Sequence, residues 1–308
     1  MTIESTTPVL EIGGTHVTAA LVQQHDDGWT VQDGSLTRLP LDAHASAEVL
    51  LGTMARAAHS LGSAHNTRWG VALPGPFDYD HGIGRYQNVG KFETLNGFNV
   101  KEDLSARLGP LASTLTFLND ADAFGIGEHA LRTPASARLV CITLGTGVGS
   151  AFLIDGVPAK TGPGVPPDGC CHLIEFRGQA LEDTVSRRAI RRQYMEARGG
   201  SEAGSPEQDV HEIAELCRQG DEVAAHVLDS AFTSLGEAIA PYLHCFGAES
   251  LIIGGSMAGS WDLVLPAVRD GLTGEEPSLA RLPIVRSDRF EEACLIGAAQ
   301  WVQRQGNS

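Results

Sequence analysis

An aspartate at the junction of an apolar run and a helical one is placed to take a proton from a hydroxyl. The segment LNDADAFGIGEHA (118–130) follows a predicted strand and opens a helix, so Asp120 stands where a strand end meets free helix amides. A carboxylate there suits a general base. Asn119 or Asp120 equally suits a helix N-cap. Glycine–threonine turns are the second chemical feature. Gly13, Gly14 and Thr15 interrupt VLEIGGTHVTAALV (9–22), and Gly145, Thr146 and Gly147 interrupt LVCITLGTGVGSAFLIDG (139–156). A third turn, Gly254–Gly255–Ser256, ends SLIIGGS (250–256). Their backbone N–H groups and hydroxyls can hold phosphate oxygens, although each alone is also an ordinary hairpin turn. Together they meet the needs of phosphoryl transfer: held phosphates, neutralised charge and a base near the attacking hydroxyl.

The elements that must position these groups alternate between strands and helices. Both glycine–threonine segments read as strand, turn, strand, and their recurrence in the two halves suggests a duplicated architecture. Further strands are predicted at 67–75, 113–120 and 250–255. Residues 48–61 place Leu50, Met54, Ala57, Ala58 and Leu61 on one helical face, and apolar residues recur at helical spacing from 223 to 246. This pattern implies α/β architecture. Segments 161–169 and 197–207 are too rich in Gly, Pro and polar residues for regular structure. The domain boundary is expected near Asp120. A smaller N-terminal domain would comprise 1–119 with a C-terminal helix, 293–308, packed back on it, and a larger domain would comprise 120–292.

Composition narrows the function classes. A formal net charge of −16 would repel a nucleic-acid backbone. The polar start and the lack of a long apolar run leave neither a signal peptide nor a membrane span in view, so a cytoplasmic location is expected. The six cysteines are expected to be reduced, mostly as small buried hydrophobes.

As a set, the motifs resemble the ROK family of sugar kinases in the actin–hexokinase superfamily. The resemblance is carried, in family order, by EIGGTHVTAALV, VALPGPFD (71–78), QNVGKF around Asn88, LNDADA, ITLGTGVGSAFLIDG, His172, Glu182 and SLIIGGS. It implies two actin-like ATPase (ribonuclease H-like) domains closing a cleft over sugar and ATP with Mg²⁺. By position it assigns Asp120 as catalytic base and Gly75, Asn88, Asn119, Asp120, His172 and Glu182 to the sugar. It assigns Gly13, Gly14, Thr15, Gly145, Thr146, Gly147, Gly254, Gly255 and Ser256 to ATP, and Glu11 to the metal. The implied partner is a small-molecule sugar, with neither nucleic acid nor membrane, and the family also favours a homodimer.

Three departures bear on that assignment. Glu11 stands where the family usually has aspartate, which moves the carboxylate outward by one methylene. Zinc-binding members carry a cysteine cluster after the histidine; HLIEFRGQALED (172–183) has none, so no zinc is expected. Gly169 stands where members usually place a sugar-contacting glutamate, unless Asp168 or Glu175 takes over. The lost acceptor points to a hexose variant such as kanosamine, glucosamine or a cyclitol. Likeness to polyphosphate glucokinases, with Arg187, Arg188, Arg191 and Arg192 on one helix, keeps polyphosphate as an alternative donor. The alternatives from other classes are a ROK transcription regulator and an inactive sugar-sensing protein.

Overall fold

A computed structural model describes residues 6–26, 28–200 and 208–306. The chain divides into two compact units, Met1–Ala135 with Glu291–Ser308, and Ser136–Phe290. In the first unit, β1 (Thr6–Ile12) and β2 (His16–His25) form the predicted antiparallel hairpin. Strands β3 (Gly28–Val31) and β4 (Thr37–Pro40) both pair with β2. Helix α1 (Ala47–His59) is capped by Ser46 and buries Leu50, Met54, Ala57 and Ala58, stopping before Leu61. Strand β5 (Arg68–Leu73) then pairs parallel with β1. A short hairpin, β6 (Phe77–Asp78) with β7 (Ile83–Gly84), precedes α2 (Val100–Leu108). Strand β8 (Thr114–Asn119) pairs parallel with β5 and leads straight into α3 (Asp120–Ala130). The sheet order is β3-β2-β1-β5-β8.

The second unit repeats this plan. Strands β9 (Arg138–Leu144) and β10 (Val148–Ile154) form an antiparallel hairpin extended by β11 (Val157–Pro158). A small hairpin, β12 (Glu175–Phe176) with β13 (Gln179–Ala180), precedes helices α4 (Glu182–Val185), α5 (Arg187–Ala197), α6 (Val210–Arg218) and α7 (Glu222–Phe246). Strand β14 (Ser250–Gly254), helix α8 (Trp261–Glu275) and strand β15 (Ile284–Arg286) complete it, with sheet order β11-β10-β9-β14-β15. Strand β9 is flanked by an antiparallel partner and a parallel one, as β1 is. The duplication read from the two glycine–threonine segments is thus a duplication of topology. Each unit has its own apolar core, around Leu10, Trp69 and Phe117 in one and Phe152, Phe232 and Ile253 in the other.

The boundary differs from the sequence expectation of a break at Asp120. Helix α3 belongs to the first unit, together with the C-terminal helix Phe290–Gly306. The reason is a close helix–helix approach: Gly127 and Gly297 let the two helix backbones touch, with Gly127 against the Ala293 carbonyl and Gly297 against the Ala123 carbonyl. A side chain at either position would hold the helices apart. Of the two irregular segments, 161–169 contains only a 3₁₀ turn at Pro167–Gly169; most of 197–207 lies outside the described residues. All six cysteines are free thiols, with Cys141, Cys171 and Cys294 buried and Cys245 exposed. No helix among the described residues is long and apolar enough to cross a membrane.

Candidate active site

Three parallel neighbours, β1, β5 and β8, end on the same edge of the first sheet, and Glu11, Gly75, Asn119 and Asp120 lie at or just after those carboxyl ends. Register pairs Glu11 with Ala72 and Leu73 with Asn119, so Glu11, the Gly75 loop and Asp120 follow from adjacent strands. Carboxyl ends of such strands are where open α/β sheets bind ligands.

Asn119 and Asp120 divide the work that the sequence left open between them. Asn119 is the N-cap of α3: its Oδ1 accepts from the Ala121 and Asp122 amides at 3.0 and 3.3 Å. Asp120 is the first helical residue, and its Oδ1 also accepts from the Ala121 amide, at 2.9 Å. Its carboxylate is closely surrounded while keeping partial access to solvent. Burial pushes its pKa above the ordinary aspartate value; the Lys91 ammonium and the Ala121 N–H oppose the rise, and the Glu11 and Asp122 charges add to it. A carboxyl group moved towards neutrality is better matched to accepting a proton near pH 7. The same charges reach Cys294, whose thiol is pushed well above its usual range by burial first and then by Glu11 and Asp120.

Beside Asp120, the β1–β2 turn is closed by the Gly13 amide donating to the His16 carbonyl at 2.9 Å, which leaves Gly14 and Thr15 exposed. His16 folds back over it, with Nε2 3.5 Å from Glu11 Oε2, and Nδ1 3.2 Å from both Thr15 Oγ1 and an Arg38 guanidinium nitrogen. Among the described residues no cluster of three or more His, Cys, Asp and Glu side chains is arranged to hold a metal. A single carboxylate, Glu11, is nevertheless a hard oxygen donor of the kind Mg²⁺ uses when it arrives mainly on substrate phosphates.

The Gly75 loop is held by two tyrosines that sequence reasoning did not single out. Tyr79 Oη donates to the Leu73 carbonyl at 3.2 Å and Tyr86 Oη to the Pro74 carbonyl at 2.7 Å. Burial, followed by the Asp120 charge, raises the pKa of both phenols, so both stay protonated donors. The Gly75–Pro76 bond is cis. On the adjoining hairpin Asp78 binds His81 Nδ1 at 2.9 Å and Arg85 at 3.1 Å; the His81 hydrogen bonds are the main reason its pKa falls to about 2. Asn88 lies exposed with left-handed backbone, and it is its loop neighbour Lys91 whose charge is felt at Asp120.

In the second unit the predicted nucleotide turns come together. The Gly145 amide donates to the Gly147 carbonyl at 3.1 Å, and a Cβ on Gly145 would lie 3.9 Å from Ser256 Oγ. Gly255 has φ +89° and packs against the Leu144 backbone, bringing the Gly254–Ser256 turn beside the end of β9. Glu182, expected among the sugar ligands, places its carboxylate over this phosphate turn: a Cβ on Gly147 would lie 3.3 Å from both Glu182 oxygens. His172 sits on a 3₁₀ turn, Cys171–Leu173, whose approach is pinned by Ser150, with Oγ donating to the Gly169 carbonyl and accepting the Cys171 amide, both at 2.7 Å. The arginine cluster of α5 is turned to internal partners. Arg187 pairs with Asp209, Arg188 with Asp183, and Arg191 and Arg192 donate to the carbonyls of Gln208 and Asp183.

The ROK family profile matches residues 8–305. The chain belongs to the ROK family. Along 256 residues it is 29% identical to the glucokinase of Thermotoga maritima, covering 77% of this chain and 79% of that one. Along 308 residues it is 27% identical to an N-acetylmannosamine kinase of Escherichia coli O139:H28, covering 97% and 98%. A ROK family glucokinase from Streptomyces griseus, solved with glucose and AMPPNP, shares the fold with a TM-score of 0.73 at 22% identity, over 97% of this chain and 99% of that chain. The fold is the two-domain actin-like ATPase fold of the ROK structures it matches, and the two curated relatives named above are sugar kinases.

Proposed function

We propose that this ROK-family sugar kinase moves the γ-phosphoryl of ATP onto a hydroxyl of a hexose-like substrate, with Asp120 as the general base. The observation that carries the reading is the setting of Asp120. It lies at the carboxyl end of β8 and on the first turn of α3, pushed towards neutrality by burial and faced by Lys91. The hydroxyl proton passes to the Asp120 carboxylate as the oxygen attacks. Asn119 and the backbone of the Gly75 and Asn88 loops orient the sugar, and His172 and Glu182 are assigned to further hydroxyls. The turns Gly13–Thr15, Gly145–Gly147 and Gly254–Ser256 are assigned to phosphates, where Glu182 must give way from the second of them for phosphate to approach. When bound with ATP, Mg²⁺ neutralises phosphate charge, with Glu11 as its protein donor.

The substrate is assigned from Gly169. Its φ of +73° lies in the left-handed region, and a Cβ there would come within 3.0 Å of the Ala159 carbonyl oxygen and 3.7 Å of Lys160 Nζ. The backbone thus takes glycine, and no glutamate can occupy the position without a local rearrangement. Lys160 lies near the place where an acceptor side chain would begin. A sugar whose recognition does not depend on that acceptor is favoured, namely an aminohexose such as kanosamine or glucosamine with its amine elsewhere on the ring, or a cyclitol. Polyphosphate stays the alternative donor: the α5 guanidiniums pair within the chain but remain substantially exposed. A coupled ADP-release panel of glucose, mannose, glucosamine, kanosamine, N-acetylated hexosamines and C7-cyclitols tests the substrate assignment, and sugar phosphate formed with polyphosphate in place of ATP tests the donor. Glucose is expected below the best aminosugar or cyclitol in kcat/KM. Glucose at the top of the panel contradicts the substrate assignment, and no sugar phosphate formed from either ATP or polyphosphate favours a sugar-sensing protein instead.

A further inference from the structure

The amide of Asn119 has four hydrogen-bonding positions, two acceptor lone pairs and two N–H donors. Three are taken within the protein. Both lone pairs of Oδ1 serve the Ala121 and Asp122 amides, at 3.0 and 3.3 Å, and one Nδ2 hydrogen goes to Tyr79 Oη at 3.1 Å. Tyr79 can accept that hydrogen because its own hydroxyl proton is committed to the Leu73 carbonyl at 3.2 Å. Its ring is held by tilted packing on Phe77, with centroids 5.3 Å apart. A Cβ on Gly75 would lie 3.3 Å from Tyr79 Oη and 4.0 Å from Asn119 Nδ2, so the hydroxyl, the amide and the loop backbone share one small space. A single hydrogen on Nδ2 remains, and its direction is fixed because the other hydrogen and the carbonyl oxygen are both anchored.

We infer that Tyr79 is a positioning residue for substrate: by accepting from Asn119 Nδ2 while donating to Leu73, it fixes the amide so that one N–H alone is presented to one acceptor oxygen of the sugar. Asn119 accepts nothing from the sugar, since its carbonyl is spent on the helix cap. The inference rests on the assignment of Asn119 to the sugar, and the test separates the two.

Tyr79→Phe removes the acceptor and the Leu73 bond and keeps the ring. Asn119→Ser keeps a capping oxygen and removes the amide. The two single variants and the double variant are compared with the wild type in steady-state kinetics, using the best sugar of the panel, with thermal melts recorded alongside. The expected result for Tyr79→Phe is a rise in the sugar KM of about twofold to tenfold, the range for one neutral hydrogen bond, with kcat, the ATP KM and the pH profile unchanged. In the Asn119→Ser background the same substitution is expected to add nothing, since its effect passes through the amide. An unchanged sugar KM in Tyr79→Phe overturns the inference. So does a rise that persists in full when Asn119 is already serine, because Tyr79 would then act independently. An Asn119→Ser variant with normal sugar KM overturns the assignment of Asn119 itself, and the inference with it.

Discussion

A carboxylate that takes a proton near neutral pH needs surroundings that oppose its charge without forbidding it. At Asp120 burial opposes ionisation, while Lys91 and the Ala121 N–H support it. Lys91→Met removes the largest support, so the acidic limb of the kcat/KM profile is expected to move to higher pH; an unmoved limb would show that Lys91 does not act on the base. The shift also has a consequence for stability. With the folded-state pKa above the unfolded one, protonated Asp120 stabilises the fold below the ordinary aspartate range, and that contribution is lost as pH rises through the raised value. Asp120→Asn is therefore expected to melt higher than the wild type at pH 7, with the gap closing towards pH 4. Equal melting temperatures at pH 7 would mean that the ionised carboxylate is not a burden on the fold. At this scale the sequence showed Asn119 and Asp120, because a cap at a strand end is a local signal. It did not show Lys91 or Tyr79. Lys91 reaches Asp120 from a loop in which Asn88, Gly90 and Phe92 take left-handed backbone, and Tyr79 reaches Asn119 from the β6–β7 hairpin, where Gly82 does; no periodicity reports such turns.

Helix α3 carries the proposed base, and its seat is the C-terminal helix. Backbone contact at Gly127 and Gly297 fixes the distance between them, and Gly70 of β5 meets the Ala298 carbonyl in the same way. Gly297→Ala is expected to destabilise the protein by about 1–3 kcal/mol through overpacking, seen as a lowered midpoint in urea with an unchanged slope. A midpoint equal to that of the wild type would mean that the helices separate without cost. The C-terminal helix and the strands β1, β2, β5, β8, β9, β10 and β14 were legible from apolar runs, to within about three residues at their ends; the short strands β3, β4, β6, β7, β11, β12, β13 and β15 were not. The allegiance of α3 was not. The contacts that decide it join residues far apart in sequence, and a glycine within a helical run does not announce the backbone it will meet. The position of Glu182 over Gly147 was hidden for the same reason.

Over the whole molecule, two units built on one topology each present glycine turns at the ends of their central strands. With a formal net charge of −16, local N–H groups and a metal, rather than the general surface, are the proposed means of holding ATP. Duplication was legible because the hairpin motif recurs; the identity of the sugar was not, because it depends on which few polar groups surround it, and Gly169 shows only one that is missing. The central claim is that a sugar hydroxyl is phosphorylated with Asp120 as base. Sugar-dependent ADP release by the wild type and by Asp120→Asn, at saturating ATP and Mg²⁺ with the best substrate of the panel, tests it most directly. The account predicts sugar-dependent turnover in the wild type and a loss of about 10²–10⁴-fold in kcat in the variant, the range for removing a general base. Turnover in the variant within a few fold of the wild type would contradict it.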